Sequence, residues 1–377
     1  MSLTVSCQRF AELCQQETQE SAYPRAREFK AGVPIYEGPQ LINNLGHQDQ
    51  DAHLKGEWAH CLLEGPGVFG IRSAYSNLSV LDEMSGIFAR IIQRERNAGK
   101  NKGDHFGQNE RIWNSIQKTS VEAPHLFADY YGNPFIALAS RAWLGPAYQL
   151  TAQVNIVKPG GAAQSSHRDY HLGFQSRDTI AAFPPHAQAM SQFLTLQGAI
   201  IHTEMPVESG PTKLLPFSQQ YELGYLSFRE PEFVEYFEKH AIQLDWKQGD
   251  LLFFNPALYH AAGSNTSSSD RVANLIQISS AFGRPMESIN HNAMIEAVYP
   301  ELLSRIAHKE LPEQTLVDSV AALTNAYAFP TNLDSDPPVD GLAPRTQEDY
   351  VLAAIQDQTP WKQLYKTLTE LSNRQRA

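Results

Sequence analysis

A change in sequence pattern near residue 134 constrains the fold of this chain more than any other feature. Beyond it, short runs rich in Val, Ile, Leu, Phe and Thr alternate with Gly, Pro, Asn and Ser, as strands alternate with turns. These runs are YQLTAQVNIVKPGG, SQFLTLQGAIIHTEM, GPTKLLPFS, AIQLDWKQGDLLFFNP and DRVANLIQISSAFG. Because no long helical segment separates most of them, the pattern favours an antiparallel sandwich or barrel over a doubly wound parallel sheet.

Helical patterns flank this β-rich part on both sides. Apolar residues recur at helical spacing from Leu78 to Glu95, whereas the glycines and proline of LLEGPGVFGIRSAYS indicate turns rather than a regular element. One helix is expected to interrupt the strands at Glu230–Lys239, and a last amphipathic helix is expected near Asp349–Leu371. We therefore predict a single domain, 1–377, with a mainly helical region over 1–133, a catalytic core over 134–285 and a helical extension over 286–377.

The charge balance excludes some classes of partner. The chain has 30 Lys and Arg against 41 Asp and Glu, a net charge of −11, whereas a nucleic-acid groove or an anionic membrane surface needs a basic face. We therefore expect neither nucleic acid nor membrane as a partner. The three cysteines form no CxxC pair, and no signal peptide or long apolar span is visible, so a cytoplasmic location is expected.

The most informative segment is SSHRDYH, which contains His167, Asp169 and His171. In an extended chain, residues two apart point the same way, so His167 and Asp169 share a face with their Cα atoms about 6.6 Å apart. An imidazole and a carboxylate at that spacing can converge on one ion. His171 has the same parity, but an extended chain would place it about 13 Å from His167, so we look elsewhere for a third ligand.

His260 is the candidate for that third ligand, 91 residues after Asp169 and just beyond the predicted strand GDLLFFNP. A barrel brings strand ends from distant parts of the sequence together, so His260 can meet His167 and Asp169. Two imidazoles and one carboxylate, with other positions open, form the facial triad suited to non-heme Fe(II).

Arg271 follows His260 by eleven residues and begins the next predicted strand. It shares a strand face with alternate residues of that strand, namely Ala273, Leu275, Gln277 and Ser279. A guanidinium inside a barrel needs an anionic partner, and the far carboxylate of a 2-oxoacid would supply a bidentate one.

Together these residues resemble the phytanoyl-CoA dioxygenase family of Fe(II)/2-oxoglutarate-dependent oxygenases. The resemblance rests on HRD at His167–Asp169, on His260 followed by Arg271, and on ESGPTKLLPFS at Glu208–Ser218. The last stretch is similar to the family's E-N-G-x-L-x-x-x-P-G-S-H, and the resemblance covers roughly residues 100–285.

This chain departs from the family pattern at two positions of that stretch. Phe217 and Gln219 stand where the family often has Gly and His. We therefore expect this loop to pack differently.

The resemblance implies an α+β fold, mainly β with flanking helices, whose core is a double-stranded β-helix, the jelly roll of cupin-like proteins. It implies that His167, Asp169 and His260 hold Fe(II), and that Arg271 binds the distal carboxylate of 2-oxoglutarate. The implied reaction uses O2 and couples decarboxylation of 2-oxoglutarate to succinate and CO2 with oxidation of an unactivated C–H bond in a small organic substrate. Related halogenases have Ala or Gly in place of Asp169, so a hydroxylase-type outcome is expected.

Further contacts to 2-oxoglutarate are expected from polar residues on neighbouring strands. Gln153 and Asn155 face the same way on the strand before the HRD segment, and Thr203 is the next candidate. Lys118, which ends the RIWNSIQK element, is a further candidate for an anion contact. His171 is assigned a role facing the substrate.

Two alternative functions stay open at this point. One is a zinc-dependent hydrolase that uses the HxDxH cluster of His167, Asp169 and His171, although the extended-chain distance and the absence of HExxH argue against it. The other is a catalytically silent cupin-like binding protein, which would bury two His and one Asp without a compensating metal. The acidic balance disfavours a CoA thioester as substrate, and the amphipathic C-terminal helix is compatible with a homodimer.

Overall fold

The computed structural model of the chain describes residues 4–99 and 109–376. The chain forms two compact units. The first comprises 1–113 and 152–277, and the second comprises 114–151 and 278–377.

Strands in the described ranges form two sheets. In chain order they are β1 (Glu28–Lys30), β2 (Val33–Glu37), β3 (Val68–Arg72), β4 (Glu110–Ile112), β5 (Gln149–Val157), β6 (Thr195–Ile201), β7 (Lys213–Leu215), β8 (Leu251–Phe254), β9 (Tyr259–Ala261) and β10 (Arg271–Ser279). The larger sheet has the order β1-β2-β3-β8-β6-β10-β5-β4, and β7 pairs with β9 in the smaller one. The β2–β3 pair is parallel, while β3–β8, β6–β8, β4–β5 and β7–β9 are antiparallel.

Helices flank these sheets in the sequence. They are α1 (Cys7–Cys14), α2 (Gly38–Ile42), α3 (Gln48–Leu63), α4 (Ser79–Asn97), α5 (Ser115–Glu122), α6 (Phe127–Tyr131), α7 (Pro134–Leu144), α8 (Arg177–Ala182), α9 (Pro185–Ser191), α10 (Gly224–Ser227), α11 (Pro231–His240), α12 (His291–Ala307), α13 (Glu313–Leu323), α14 (Gln347–Gln356) and α15 (Trp361–Arg374). Within residues 4–99 and 109–376, no helix combines the length and the apolar character needed to cross a membrane.

The α+β fold class is confirmed, with a mainly β core and flanking helices. The helix predicted at Glu230–Lys239 is observed as α11. The last predicted helix, Asp349–Leu371, is wrong as one element: it is divided into α14 and α15 because Pro360, which has no N–H to donate, caps the start of α15.

The interpretation of LLEGPGVFGIRSAYS as turns is also wrong in part, because this stretch contains β3. Gly67 does turn the chain, with φ of +79°. Gly70, however, lies inside the strand, where the ring of Trp246 comes within 2.5 Å of the position that a Cβ would take. A glycine in a strand can thus indicate that another side chain packs closely against the backbone, rather than that the chain turns.

An apolar core lies against the inner face of the larger sheet in the first unit. On β6, Ala199 and Ile201 belong to this core, and β8 contributes Leu252 opposite Ala199 and Phe254 opposite Gln197. Ala273 of β10 joins the same cluster. Because side chains alternate along a strand, Gln197 of β6 and Arg271 of β10 face this same interior.

The second unit is helical apart from the strand segments at its boundaries. Its helix α12 packs against α5, α13 and α15. One buried charge is paired there: Asp318 of α13 accepts a hydrogen bond from Arg141 of α7 at 2.5 Å.

Candidate metal centre

His167 and His260 face each other across a short antiparallel bridge. The backbone N–H of His167 donates to the carbonyl of His260 at 2.9 Å, and that of His260 donates to the carbonyl of His167 at 3.1 Å. The N–H of Asp169 donates to the carbonyl of Pro256 at 3.0 Å. The segment that follows β5 is thereby held against β9, which brings the three predicted ligands together.

The hydrogen bonds of the two imidazoles leave one ring nitrogen of each available to a metal. Nδ1 of His167 lies 3.0 Å from the carbonyl oxygen of Ser165, and Nδ1 of His260 lies 2.7 Å from that of Leu258. A carbonyl oxygen only accepts, so both Nδ1 atoms carry the proton and both Nε2 atoms have a free lone pair.

The three ligand atoms converge. Nε2 of His167 and Nε2 of His260 lie 3.9 Å and 3.5 Å from the carboxylate oxygens of Asp169, and all three ligand atoms lie within 4.8 Å of one another. Two neutral imidazoles and one carboxylate fit an iron ion that keeps other coordination positions open.

The electrostatics of the cluster hold Asp169 and His167 in the protonation states that bind a metal. Burial acts to raise the pKa of Asp169, but the neighbouring imidazoles of His260 and His167 and the amide of Gln197 hold that pKa well below its usual range. Burial, together with the neighbouring His260, lowers the pKa of His167. The carboxylate is therefore ionised and the imidazole of His167 neutral near neutral pH.

Gln197 also takes part in the cluster, which the sequence did not predict. Its side-chain amide donates to a carboxylate oxygen of Asp169 at 2.5 Å. The alternation in TLQGAII places Gln197 on the same face as Ala199 and Ile201, so an amide side chain beside these core residues was the available signal.

Arg271 provides a buried cation on the inner face of β10. It is 5% exposed, and its guanidinium donates to the backbone carbonyl of Gly210 and, at 2.9 Å, to Oδ1 of Asn155. Among the residues that the structure describes, its Nε has no hydrogen-bond partner and no carboxylate pairs with it. Burial and the nearby Arg111 lower the pKa of Arg271 to about 10. An incoming carboxylate fits this site because it would satisfy both the charge and the free donor.

Gln153 and Asn155 both lie beside Arg111, and Asn155 also contacts Arg271. Asn155 is paired in register with Arg111 of β4, and Nη1 of Arg111 donates to Oε1 of Gln153 at 3.3 Å. The guanidinium of Arg111 also lies over the ring of Trp113, 4.9 Å from its centroid. The sequence did not predict Arg111, because the pairing of β4 with β5 joins segments more than forty residues apart.

Gly210, in the ESGPTKLLPFS stretch, fixes the carbonyl that Arg271 contacts. It has φ of +73°, and a Cβ there would lie 2.5 Å from the backbone oxygens of Gly263 and Ser264. Later in the stretch, Phe217 has φ of +65°, a conformation that glycine adopts freely. Phe217 therefore adopts the left-handed conformation itself, at the position where the family often has Gly.

The other two predicted contacts of 2-oxoglutarate lie in different surroundings. Thr203 follows β6, and its hydroxyl accepts the backbone N–H of Val272 at 3.0 Å. Lys118 lies in α5, part of the second unit, and is half-buried. Their contact with 2-oxoglutarate stays a prediction.

His171 lies beyond a sharp turn. Tyr170 and His171 have φ of +137° and +43°, so the assumption of an extended chain after Asp169 is wrong. In the described part of the chain, the cluster that could hold a metal ion comprises His167, Asp169 and His260 and does not include His171. Nε2 of His171 is buried and has no hydrogen-bond partner among those residues, and its role facing a substrate stays a prediction.

Comparison with known proteins shows which family this chain belongs to. A family model described as phytanoyl-CoA dioxygenase (PhyH) matches residues 63–273, more than half of the chain. The protein "Dioxygenase andF" of Emericella variicolor is 27% identical over 160 residues, which cover 41% of this chain and 50% of that protein. The chain thus aligns with about half the length of this curated relative.

Solved structures of low sequence identity are also similar. The non-heme α-ketoglutarate-dependent epimerase SnoN from nogalamycin biosynthesis is 14% identical, with a TM-score of 0.42 over 61% of this chain and 82% of that one. The carbocyclase SnoK from the same biosynthesis is 18% identical, with a TM-score of 0.45 over 60% and 83%. Since the family model matches more than half of the chain, the resemblance drawn from the sequence is confirmed: this chain belongs to the phytanoyl-CoA dioxygenase family.

Proposed function

We propose that this protein is an Fe(II)/2-oxoglutarate-dependent dioxygenase that oxidises an unactivated C–H bond of a small organic substrate, by hydroxylation or another oxidation. The reaction would consume O2 and convert 2-oxoglutarate to succinate and CO2. One observation carries this proposal: the first unit contains a three-ligand cluster and, on the inner face of β10, a buried guanidinium without a carboxylate partner in the described ranges.

Each residue of the site has a defined task under this proposal. His167, Asp169 and His260 would hold the iron, which when bound supplies the activation of O2. Arg271 would bind the distal carboxylate of 2-oxoglutarate, and Asn155 would hold the guanidinium in place through its bond at 2.9 Å. The apolar interior would exclude water from the reacting C–H bond.

Asp169 favours a hydroxylase-type outcome over halogenation. Its carboxylate occupies a ligand position and is fixed there by the amide of Gln197. A halide would need that position to be vacant.

The geometry disfavours the zinc hydrolase, since that alternative needs His171 as a ligand and the observed cluster has His260 in its place. A silent binding protein would have no use for a complete donor set with free Nε2 atoms. The cytoplasmic location and the homodimer stay predictions.

Anaerobic titration of the purified apoprotein with Fe(II) and 2-oxoglutarate tests the proposal. Bidentate chelation of a 2-oxoacid to Fe(II) is expected to give a visible charge-transfer band. The band should be lost in His260→Ala and weakened in Arg271→Ala. His308→Ala provides the matched control, because this exposed histidine of the second unit also bonds through Nδ1 to a backbone carbonyl, that of Ser304, and its variant should keep the band.

Absence of the band in a folded, metal-loaded wild-type protein would contradict the proposal. If the band forms, release of succinate that rises with an added candidate compound identifies the substrate.

A further inference from the structure

Arg168, the middle residue of the HRD segment, is a fully buried cation that the reaction does not use. It is 2% exposed and points away from the cluster because it has the opposite parity to His167 and Asp169. Its Nη2 donates to the carbonyl of Ser218 at 2.6 Å and to that of Tyr221 at 2.9 Å.

Two aromatic rings complete the surroundings of Arg168. The guanidinium carbon lies 5.2 Å from the ring centroid of Tyr225 and 5.2 Å from that of Tyr259. We call the residues around this guanidinium the Arg168 cage, which comprises Ser218, Tyr221, Gly224, Tyr225 and Tyr259.

The Arg168 cage is shaped for a guanidinium. A Cβ on Gly224 would lie 1.8 Å from the guanidinium carbon of Arg168, so any larger residue at position 224 would displace it. Among residues 4–99 and 109–376, no carboxylate pairs with Arg168, and its Nε has no hydrogen-bond partner. Burying such a charge is costly, and an apolar side chain of similar size would avoid that cost, so stability alone gives little reason for an arginine here.

The Arg168 cage is linked to the HRD segment by a hydrogen bond and to His260 by the chain itself. The hydroxyl of Tyr225 donates to the backbone carbonyl of Asp169 at 2.9 Å. Tyr259 immediately precedes His260, and its N–H donates to the Ser218 hydroxyl at 2.8 Å while its own hydroxyl donates to the carbonyl of Gly224 at 3.1 Å. Arg168 thus lies between the residue bonded to Asp169 and the residue next to His260.

We propose that Arg168 is a positioning residue that pre-organises the three metal ligands by holding the HRD backbone, the 218–225 turn and Tyr259 in one arrangement. The inference rests on the proposed function, in that His167, Asp169 and His260 bind a metal. Arg168 acts only through the backbone of its two neighbours and through Tyr259, because it does not touch the ligand atoms.

Binding of Co(II) to the apoprotein tests this role without any turnover. In Arg168→Met, the Co(II) affinity measured by calorimetry should fall about 10- to 100-fold, the range seen when groups that orient metal ligands are removed. The visible spectrum of the Co(II) protein at saturation should also change, because the ligand geometry is altered. Arg168→Lys, which keeps the charge but not the planar fork, should recover part of the affinity.

Gly224→Ala gives an independent perturbation, since it displaces the guanidinium and leaves Arg168 in the chain. It should weaken Co(II) binding in the same direction. The double variant should bind no more weakly than Arg168→Met alone, because both changes disrupt one interaction.

Arg177→Met is the matched control. Arg177 also donates to a backbone carbonyl, that of Leu226 at 2.9 Å, and it pairs with Glu230. Its removal should leave the Co(II) affinity and spectrum as in the wild type.

A folded Arg168→Met protein with wild-type Co(II) affinity and spectrum would overturn the inference, even if its free energy of unfolding were lower. If that variant does not fold, Arg168→Lys and Gly224→Ala decide in the same way. The proposed function fails separately, when wild-type protein gives no charge-transfer band or when His260→Ala binds Co(II) as tightly as wild type.

Discussion

Replacing Arg271 by Gln should remove most of the affinity for 2-oxoglutarate and leave metal binding nearly unchanged. The guanidinium is buried and, in the described part of the chain, has no carboxylate partner, so the distal carboxylate of the co-substrate would be its first counter-charge. Gln at this position keeps a polar side chain but supplies neither the charge nor the paired donors.

The magnitude follows from the burial of the pair. Removing one partner of a buried ion pair costs about 3–5 kcal/mol, which corresponds to a loss of affinity of roughly 10²- to 10⁴-fold. Arg271→Lys keeps the charge and loses the bidentate fork, so a loss of about tenfold is expected, equivalent to one charge-assisted hydrogen bond.

The free energy of unfolding of unliganded Arg271→Gln should not fall, in contrast to its affinity for 2-oxoglutarate. Arg271 is a buried cation close to a second one, Arg111, and this environment lowers its pKa to about 10. Without a bound carboxylate, the charge is uncompensated, so Arg271→Gln should have a free energy of unfolding equal to or higher than that of wild type. In contrast, 2-oxoglutarate should raise the melting temperature of the metal-loaded wild type only.

Calorimetric titration of 2-oxoglutarate into Mn(II)-loaded protein measures the affinity, and urea unfolding measures the stability. Arg177→Gln serves as a control that removes a cation of the same unit. An Arg271→Gln protein that binds 2-oxoglutarate with wild-type affinity would refute the assignment of Arg271 as the carboxylate anchor.

Three other variants test the cluster, a buried histidine and the second unit. Gln197→Ala frees the Asp169 carboxylate and should weaken Co(II) binding about tenfold, and an unchanged calorimetric affinity would contradict this. Burial lowers the pKa of His202 from 6.5 to about 3, so the stability held by its neutral form is complete above pH 6.5 and is lost as the pH falls towards 3. When the pH is lowered from 7 to 5, the free energy of unfolding of His202→Asn, measured with urea, should therefore fall by ~2 kcal/mol less than that of wild type. An equal fall in both proteins would count against this reasoning. Arg141→Leu removes the cation paired with the buried Asp318, which keeps its hydrogen bond from Gln314, and should lower the free energy of unfolding by about 3 kcal/mol. Most of this loss should be regained when Asp318 is also replaced by Leu. Thermal unfolding that places the single and double variants level would rule this out.

The ligands could be predicted because their pattern is local in the sequence. Side chains in a strand alternate with a period of two, so the residue order alone gives the shared parity of His167 with Asp169 and of Arg271 with Ala273. The observed core confirms the inner face of β10 through Ala273.

Partners across strands could not be seen in the same way. Gln197 lies in β6 and Arg111 in the three-residue strand β4, and nothing local indicates which residue each will contact. The strands of the first third were missed for a related reason: β1 and β4 are three residues long, and β3 contains a glycine that the Trp246 ring requires. Strand formation there depends on pairing with distant segments rather than on local preference.

The error at His171 has a different cause. The distance of about 13 Å assumed an extended chain, but Tyr170 and His171 both have positive φ. Glycine is the usual sign of such a conformation, and neither residue is glycine. The conclusion that His171 lies outside the ligand cluster agrees with the observed cluster, whereas the distance used to reach it does not apply.

Because His167 and His260 pair across an antiparallel bridge, the register of that bridge also sets the positions of the proposed metal ligands. Each histidine donates its N–H to the other's carbonyl, so the pair is fixed in register. A slip of one residue would place Tyr259 or Ala261 opposite His167 and would turn His260 to the other face of β9. The same alternation that sends His167 and Asp169 into the interior sends Arg168 into its cage on the opposite side. A change that loosens the cage therefore acts on the register of the ligands, which is why its effect should appear in metal affinity as well as in stability.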